Sequence, residues 1–266
     1  MSIGFIGCGN MASAIIKGII SADIFPQSSI NVFDINEKAT KNIKSQFSDI
    51  NVLQSENEIV KNSDTVILAV KPNVLAAVLD KINLTLEKKS VLLISIAAGK
   101  DLKYIRNSLS HDNRIIRVMP NINAVVGEAM SAYTANATAT EEDKALCKKM
   151  LEGFGKAIYL DEKLFPLFGV IGGCAPAFSY MYIDALARAA VQNGMNKDTA
   201  LKIAAQTVYG SAKMVLESGE HPYELIDRVC SPGGTTIEGI ASLQADKFES
   251  TVNKAVKKAL EKDSKL

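Results

Sequence analysis

Cysteine, histidine and tryptophan are scarce in this 266-residue chain, which holds four cysteines, two histidines and no tryptophan. Cys8, Cys147, Cys174 and Cys230 lie far apart and form no C-x-x-C pair. With only His111 and His221 beside them, a zinc site has poor raw material, so no metal is expected. The thiols read as reduced, which places the chain in the cytoplasm. Net charge is nearly absent as well: 30 Lys+Arg against 29 Asp+Glu leave +1, and no global field recruits nucleic acid or an anionic membrane. No apolar run is read as approaching the roughly 20 residues that span a bilayer. The start lacks a charged n-region, and residues 7–10 break up any signal-peptide core, so secretion is not expected.

What is present begins at once. Ile3-Gly4-Phe5-Ile6 is an apolar strand that runs into Gly7-Cys8-Gly9-Asn10-Met11-Ala12, a G-x-G-x-x-A turn opening an amphipathic helix. Glycines there let the backbone approach a pyrophosphate, and the helix start points its amide-rich, partly positive end at that anion. Ile6, Gly7, Cys8, Gly9, Asn10 and Met11 are therefore expected to bind a dinucleotide. Asp34 ends the next strand about 20 residues after Ala12, the usual spacing of the acid that binds the adenosine ribose hydroxyls. Its carboxylate repels a 2′-phosphate, so of NADH and NADPH the sequence favours NADH. A solvated turn aspartate is the competing reading.

Strand signals recur at Asn51-Val52-Leu53, at 64–70, at 91–96 and at 114–118, with helical stretches between most of them. The alternation implies right-handed crossovers and a parallel, doubly wound α/β sheet. Ligands in such sheets lie at the carboxyl ends of the strands. Ala69-Val70-Lys71-Pro72 leaves one of these ends, with Lys71 placed to meet phosphate or ribose. Ile96-Ala97-Ala98 leaves the next, with side chains small enough for a nicotinamide to lie against the backbone. Asn121, after the last strand, is expected on the substrate side.

Past about Leu160 the strand signals stop. Residues 176–193 are almost wholly apolar apart from Asp184 and Arg188, which suggests a helix buried on most sides, stopped by Asn193-Gly194. Further helices follow at 198–217, at 222–229 and on a stripe containing Phe248, Val252 and Val256. The division expected is a dinucleotide-binding domain over 1–160 and an all-α domain over 161–266. An all-helical domain apolar on several faces often completes its core with a second copy, so a homodimer is expected, with larger assemblies of it open. Within this half, residues 230–238 (CSPGGTTIE) lead a Gly-rich loop into a helix. Thr235 and Glu238 fit a T-x-x-E capping box. The amides of Gly234, Thr235 and Thr236 also suit a small carboxylate, with the Thr236 hydroxyl turned towards a ring nitrogen.

Together GFIGCGNMA, LAVKP, SIAAG, VMPN, GSAKMVLESGEHP and VCSPGGTTIEG make the chain resemble the pyrroline-5-carboxylate reductase family over nearly its whole length. The resemblance implies a Rossmann domain followed by a helical dimerisation domain. It implies hydride transfer from NAD(P)H to the C=N carbon of L-1-pyrroline-5-carboxylate, a small cyclic imine. It gives Thr236 the catalytic role of hydrogen-bonding the substrate nitrogen and the Thr235–Thr236 backbone the carboxylate, and it places Glu162 as a substrate-side acid. Where the family reads S-G-S-G-P-A, this chain has Gly172-Gly173-Cys174-Ala175-Pro176-Ala177, and Ile122-Asn123 replaces a Thr-Pro. These departures leave open a related cyclic imine as substrate, or a dinucleotide-binding regulator without turnover. A β-hydroxyacid dehydrogenase shares the two-domain plan, but it needs a lysine at the start of the long helix, where Ala175-Pro176-Ala177-Phe178 offers none.

Overall fold

A computed structural model describes residues 1–264. The strands are β1 (Ile3–Ile6), β2 (Ile30–Phe33), β3 (Asn51–Val52), β4 (Thr65–Leu68), β5 (Leu92–Ser95), β6 (Arg114–Met119), β7 (Ala129–Ala135) and β8 (Gly155–Tyr159). Helices α1 (Asn10–Ser21), α2 (Glu37–Gln46), α3 (Glu56–Asn62), α4 (Leu75–Leu86), α5 (Leu102–Asn107) and α6 (Glu141–Glu152) lie between them. After β8 come α7 (Phe165–Phe168), a π-helical turn (Gly169–Cys174), α8 (Ala175–Gln192), α9 (Lys197–Ser218), α10 (Pro222–Val229), α11 (Thr235–Ala245) and α12 (Phe248–Asp263). Polar caps set several starts: Ser55 accepts from the Glu58 amide, Asp101 from that of Tyr104, and Thr140 with Asp143 closes a capping box.

One eight-stranded sheet has the order β3-β2-β1-β4-β5-β6-β7-β8. Strands β1 to β6 are parallel, as the alternation predicts. The last two depart from the expected all-parallel sheet: β7 is antiparallel to β6, and β8 runs parallel to β7. The connections explain the reversal. A 3-10 turn (Ile122–Val126) and Gly127, at φ +77°, join β6 to β7, too short a link for a crossover, whereas α6 supplies the crossover from β7 to β8.

Buried side chains cover both faces of the sheet. On one, Phe5, Ile16, Ile19, Ile67 and Val118 pack with Met150 and Phe154; on the other, Leu75, Leu79 and Ile82 pack with Val66, Leu93 and Ile115. Gly18 of α1 is the closest fit on the first face, because a β-carbon there would stand 2.6 Å from the Phe154 β-carbon.

The first compact unit spans Met1–Gly173 and the second begins at Cys174. The sequence puts the change at Leu160. The first unit continues because Phe165 and Val170 are buried and the Glu162 carboxylate bonds back to Arg117 and Leu102. The described residues of the second unit hold helices α8 to α12 and no strand. Its buried core is small, centred on Ala187, Ala200 and Ala204 between α8 and α9. The expectation that 176–193 is buried on most sides is not met within one chain: Ala187 is the one buried residue of α8, and Met181 is 78% exposed. Nor does the expected lack of a long apolar run hold. The helical stretch Glu162–Gln192, 31 residues, is apolar and long enough to cross a membrane by length and composition alone. The two charges in its C-terminal third are one turn apart, where Arg188 Nε donates to Asp184 Oδ2 at 2.5 Å, so they interrupt the apolar surface as a pair.

Gly18→Val is expected to lower stability by about 1–3 kcal/mol through overpacking against Phe154, read as a lower denaturant midpoint at unchanged slope.

Candidate functional site

Hydrogen-bond register brings the carboxyl ends of four parallel strands to one edge. Ile6 pairs with Phe33 on one side and Leu68 on the other, and Leu68 pairs with Ser95. The strand order reverses at β1, the place where open α/β sheets bind ligands. At that edge the Gly7 amide donates to Phe33 O at 2.8 Å, and Gly7 adopts φ +103°. A β-carbon on Gly7 would stand 2.5 Å from Ala69 O, so only glycine lets β1 turn so close to the exit of β4. Gly9 caps α1 without a side-chain hydrogen bond, and nothing lies within 4 Å of where its β-carbon would point. The first amides of α1 (Asn10, Met11 and Ala12) thus face an open approach, with no side-chain cap among the described residues. These residues fit a dinucleotide pyrophosphate.

Asp34 is half-buried and held by two amides. The Cys8 amide donates to its Oδ2 at 2.7 Å and the Asn36 amide to its Oδ1 at 2.8 Å. Each carboxylate oxygen keeps a further lone pair, which suits a ribose diol. Close by, Lys41 pairs with Glu37 and the Lys44 ammonium donates to Ile50 O. The buried Cys8 thiol beneath this carboxylate is pushed up to about 12, first by desolvation and then by the Asp34 charge.

Ala69, Val70, Lys71 and Pro72 leave β4 at this edge, Lys71 exposed and the other three half-buried. Ile96, Ala97 and Ala98 leave β5 beside them, where the Ile96 amide donates to Leu68 O. Asn121 is placed near the same edge but is buried, and its amide is used at both ends: Nδ2 donates to Gly172 O at 2.9 Å and Oδ1 accepts from the Met130 amide at 3.3 Å. It ties the π-turn to β7. Glu162 Oε1 accepts from the Leu102 amide at 2.8 Å and from Arg117 Nη1 at 3.1 Å.

In the second unit, the Gly-rich loop enters α11 as expected but with a different cap. Gly234 is the N-cap, no side-chain hydrogen bond closes the start, and Thr235 is the first helical residue. The capping box read at Thr235 and Glu238 therefore does not form, because the helix begins one residue earlier than that box requires. Gly233 takes φ +67°, and the Gly234 amide is spent on Ser231 O at 3.0 Å. That leaves the amides of Thr235, Thr236 and Ile237 at the helix start, with both threonines exposed. His221 caps α10 through Nδ1, in keeping with its reading as a lead-in to Pro222.

Three features escaped the sequence. The π-turn at Gly169–Cys174 lies where the serines of the resembled family are missing, and a β-carbon on Gly172 would stand 2.8 Å from the Phe168 ring. Its only sequence signal is the cluster of glycines. Arg117 is buried, stacked 4.5 Å from the centre of the Phe165 ring and paired with Glu162. An arginine inside an apolar strand was the signal available. The exposed apolar turn Ile122–Val126 is the third.

Residues 162–266 match the family model described as pyrroline-5-carboxylate reductase dimerisation, and residues 2–99 match that of NADP oxidoreductase coenzyme F420-dependent. The chain is 44% identical over 265 residues, 99% of its length and 97% of the relative's, to the pyrroline-5-carboxylate reductase of Escherichia coli (strain K12). Among solved structures it resembles a pyrroline-5-carboxylate reductase from Coxiella burnetii, with TM-score 0.93 and 30% identity over 99% of this chain and 97% of that one. The pyrroline carboxylate reductase of Plasmodium falciparum with NADP bound gives TM-score 0.86 and 32% identity, again over 99% and 97% of the two chains.

Gly7→Ala is expected to cost about 1–3 kcal/mol in stability from the forced left-handed backbone and the clash with Ala69. Thermal melting reads that cost, and NADH titration should show binding weakened at least about tenfold, some 1.4 kcal/mol.

Proposed function

This chain belongs to the pyrroline-5-carboxylate reductase family, and from that premise we infer that it reduces L-1-pyrroline-5-carboxylate to L-proline with NADH or NADPH, the last step of proline biosynthesis. Two glycine-led helix starts carry the reading, at Gly9 before α1 and at Gly234 before α11, each with its first amides free of side-chain caps. One suits a pyrophosphate and the other a small carboxylate.

When bound in the first unit, a reduced nicotinamide would supply the hydride for the C=N carbon. Ile6 to Met11 hold the pyrophosphate, Asp34 the adenosine ribose, and Ala69, Val70, Lys71 and Pro72 the sugar-phosphate edge. Ile96, Ala97 and Ala98 give the nicotinamide end a smooth wall. In the second unit the amides of Thr235 and Thr236, with Gly234 shaping the turn, hold the substrate carboxylate. The Thr236 hydroxyl hydrogen-bonds the ring nitrogen, which carries the proton as the imine becomes a secondary amine. A protonated cyclic imine is already electrophilic, so the residues act chiefly by placement and by excluding water. Asn121, bonded to Gly172 and Met130, and Glu162, whose Oε1 is bonded to Leu102 and Arg117, also brace this edge on the substrate side.

We infer a preference for NADH. The Asp34 carboxylate is fixed by two amides and cannot swing away from a 2′-phosphate, and no arginine follows it in α2 to hold one. A homodimer formed through α8 to α12, open to larger assemblies, is supported by the exposed Tyr180, Met181 and Leu216 of that unit and by its match to a dimerisation model. Four free thiols suit the cytoplasm. A related cyclic imine is the second reading, favoured by the π-turn, which presents glycine backbone where hydroxyls stand in relatives.

With pyrroline-5-carboxylate, kcat/KM is expected to be higher for NADH than for NADPH, and Asp34→Ser should move the ratio towards NADPH by about tenfold or more. No turnover with either cofactor would sink the reductase reading, and turnover only with a six-membered imine would favour the second. Thr236→Ala should lower kcat/KM by roughly 10- to 100-fold, about 1.4–2.8 kcal/mol; an unchanged value would leave Thr236 with no part in the reaction.

A further inference from the structure

Arg117 has no role in the reading above, yet it sits at the same edge, paired with Glu162. Arg117 lies two residues before Met119, on the face of β6 that it shares with the buried Ile115. It is 7% exposed and stacks on the fully buried Phe165 ring. A charge so placed needs a fixed partner, and Glu162 supplies it at 3.1 Å. The same carboxylate oxygen accepts at 2.8 Å from the amide of Leu102, the first residue of α5. One oxygen therefore joins β6, the chain entering α7 and the far end of the loop that leaves β5. That loop, Ile96 to Asp101, is held at its near end by the Ile96 amide on Leu68 O. Between the two anchors Gly99 stands at φ +71°, with nothing packed where its β-carbon would be. Besides this bond, Leu102 packs against the buried apolar cluster, while the hydrogen bonds from the Tyr104 and Ile105 amides to Asp101 are internal to the helix start itself.

We propose that Arg117 and Glu162 are positioning residues for hydride transfer: through Leu102 they fix the Ile96–Asp101 loop in the place where it borders the nicotinamide end of the cofactor. Arg117 touches neither substrate nor cofactor. It sets the Glu162 carboxylate, and Glu162 sets the loop. The proposal rests on the reading of Ile96 to Ala98 as cofactor-binding.

The test pairs amide exchange with steady-state kinetics for Glu162→Ala, Glu162→Gln and Arg117→Met in the full-length protein. In Glu162→Ala the amides from Ala98 to Leu102 should exchange at least about tenfold faster. At the same time kcat should fall by roughly 10- to 100-fold, the loss expected of a displacement near 1 Å, with KM for the imine within about threefold of wild type. Glu162→Gln keeps an oxygen for the Leu102 amide, so it should retain most of the exchange protection and recover much of kcat. Arg117→Met should resemble Glu162→Ala. A raised imine KM at unchanged kcat in Glu162→Ala, with Arg117→Met unaffected, would overturn the proposal in favour of direct substrate contact. Faster exchange with unchanged kcat would overturn it too. If Glu162→Ala does not fold, Glu162→Gln decides: protection kept and kcat largely kept supports the proposal, and protection kept with kcat lost overturns it. Wild-type turnover is the control that separates the two readings. Its absence would remove the reductase reading, while exchange in the variants would still show whether the pair holds the loop.

Discussion

The dinucleotide edge depends on the missing side chain of Gly7. Its amide reaches Phe33 O while its α-carbon lies against the Ala69 carbonyl, so the exits of β2, β1 and β4 converge on one residue. A methyl group there would push β4 away or turn β1 outward. Either movement would carry the Cys8 amide off the Asp34 carboxylate and shift the start of α1. The free amides, the held Asp34 carboxylate and the Ala69–Pro72 exit are consequences of that one close approach.

Glycine does a different job at the two proposed anion sites. Ser55, Asp101, Thr140 and Asn196 accept hydrogen bonds from the helices that they begin. Among the described residues, α1 and α11 are the two helices with glycine at the N-cap, so at those starts no oxygen of the cap residue fills the place of a ligand. The cost is a less stable helix start, by some tenths of a kcal/mol up to about 1.

Much of the first unit was legible because its central strands are buried on both faces and therefore read as unbroken apolar runs, as 64–70 and 91–96 do. The last two strands were not. β7 is built largely of small residues and exposes Met130, while β8 exposes Lys156, Ile158 and Tyr159 at the sheet margin, so neither gives a clean run or alternation. Helix α6 hides its buried Cys147, Met150 and Leu151 behind a charged first turn, and α3 has only seven residues. At the candidate site, the Gly turn and Asp34 were readable because a strand, a glycine turn and an acid about 20 residues on make a local spacing pattern. Arg117 and Glu162 meet across 45 residues of chain, a contact that no local pattern encodes. Thr235 misled for a simpler reason: a capping box and a one-residue-shifted helix start use the same letters.

Cys8 stands in the glycine turn between β1 and α1, where burial first and the Asp34 charge second push its thiol up to about 12. At neutral pH the group stays a thiol, and the thiolate is the form that peroxide and alkylating agents attack. Burial and the neighbouring carboxylate thus passivate a sulfur that stands in an otherwise open glycine turn. The turn keeps a cysteine without exposing it to thiol oxidation.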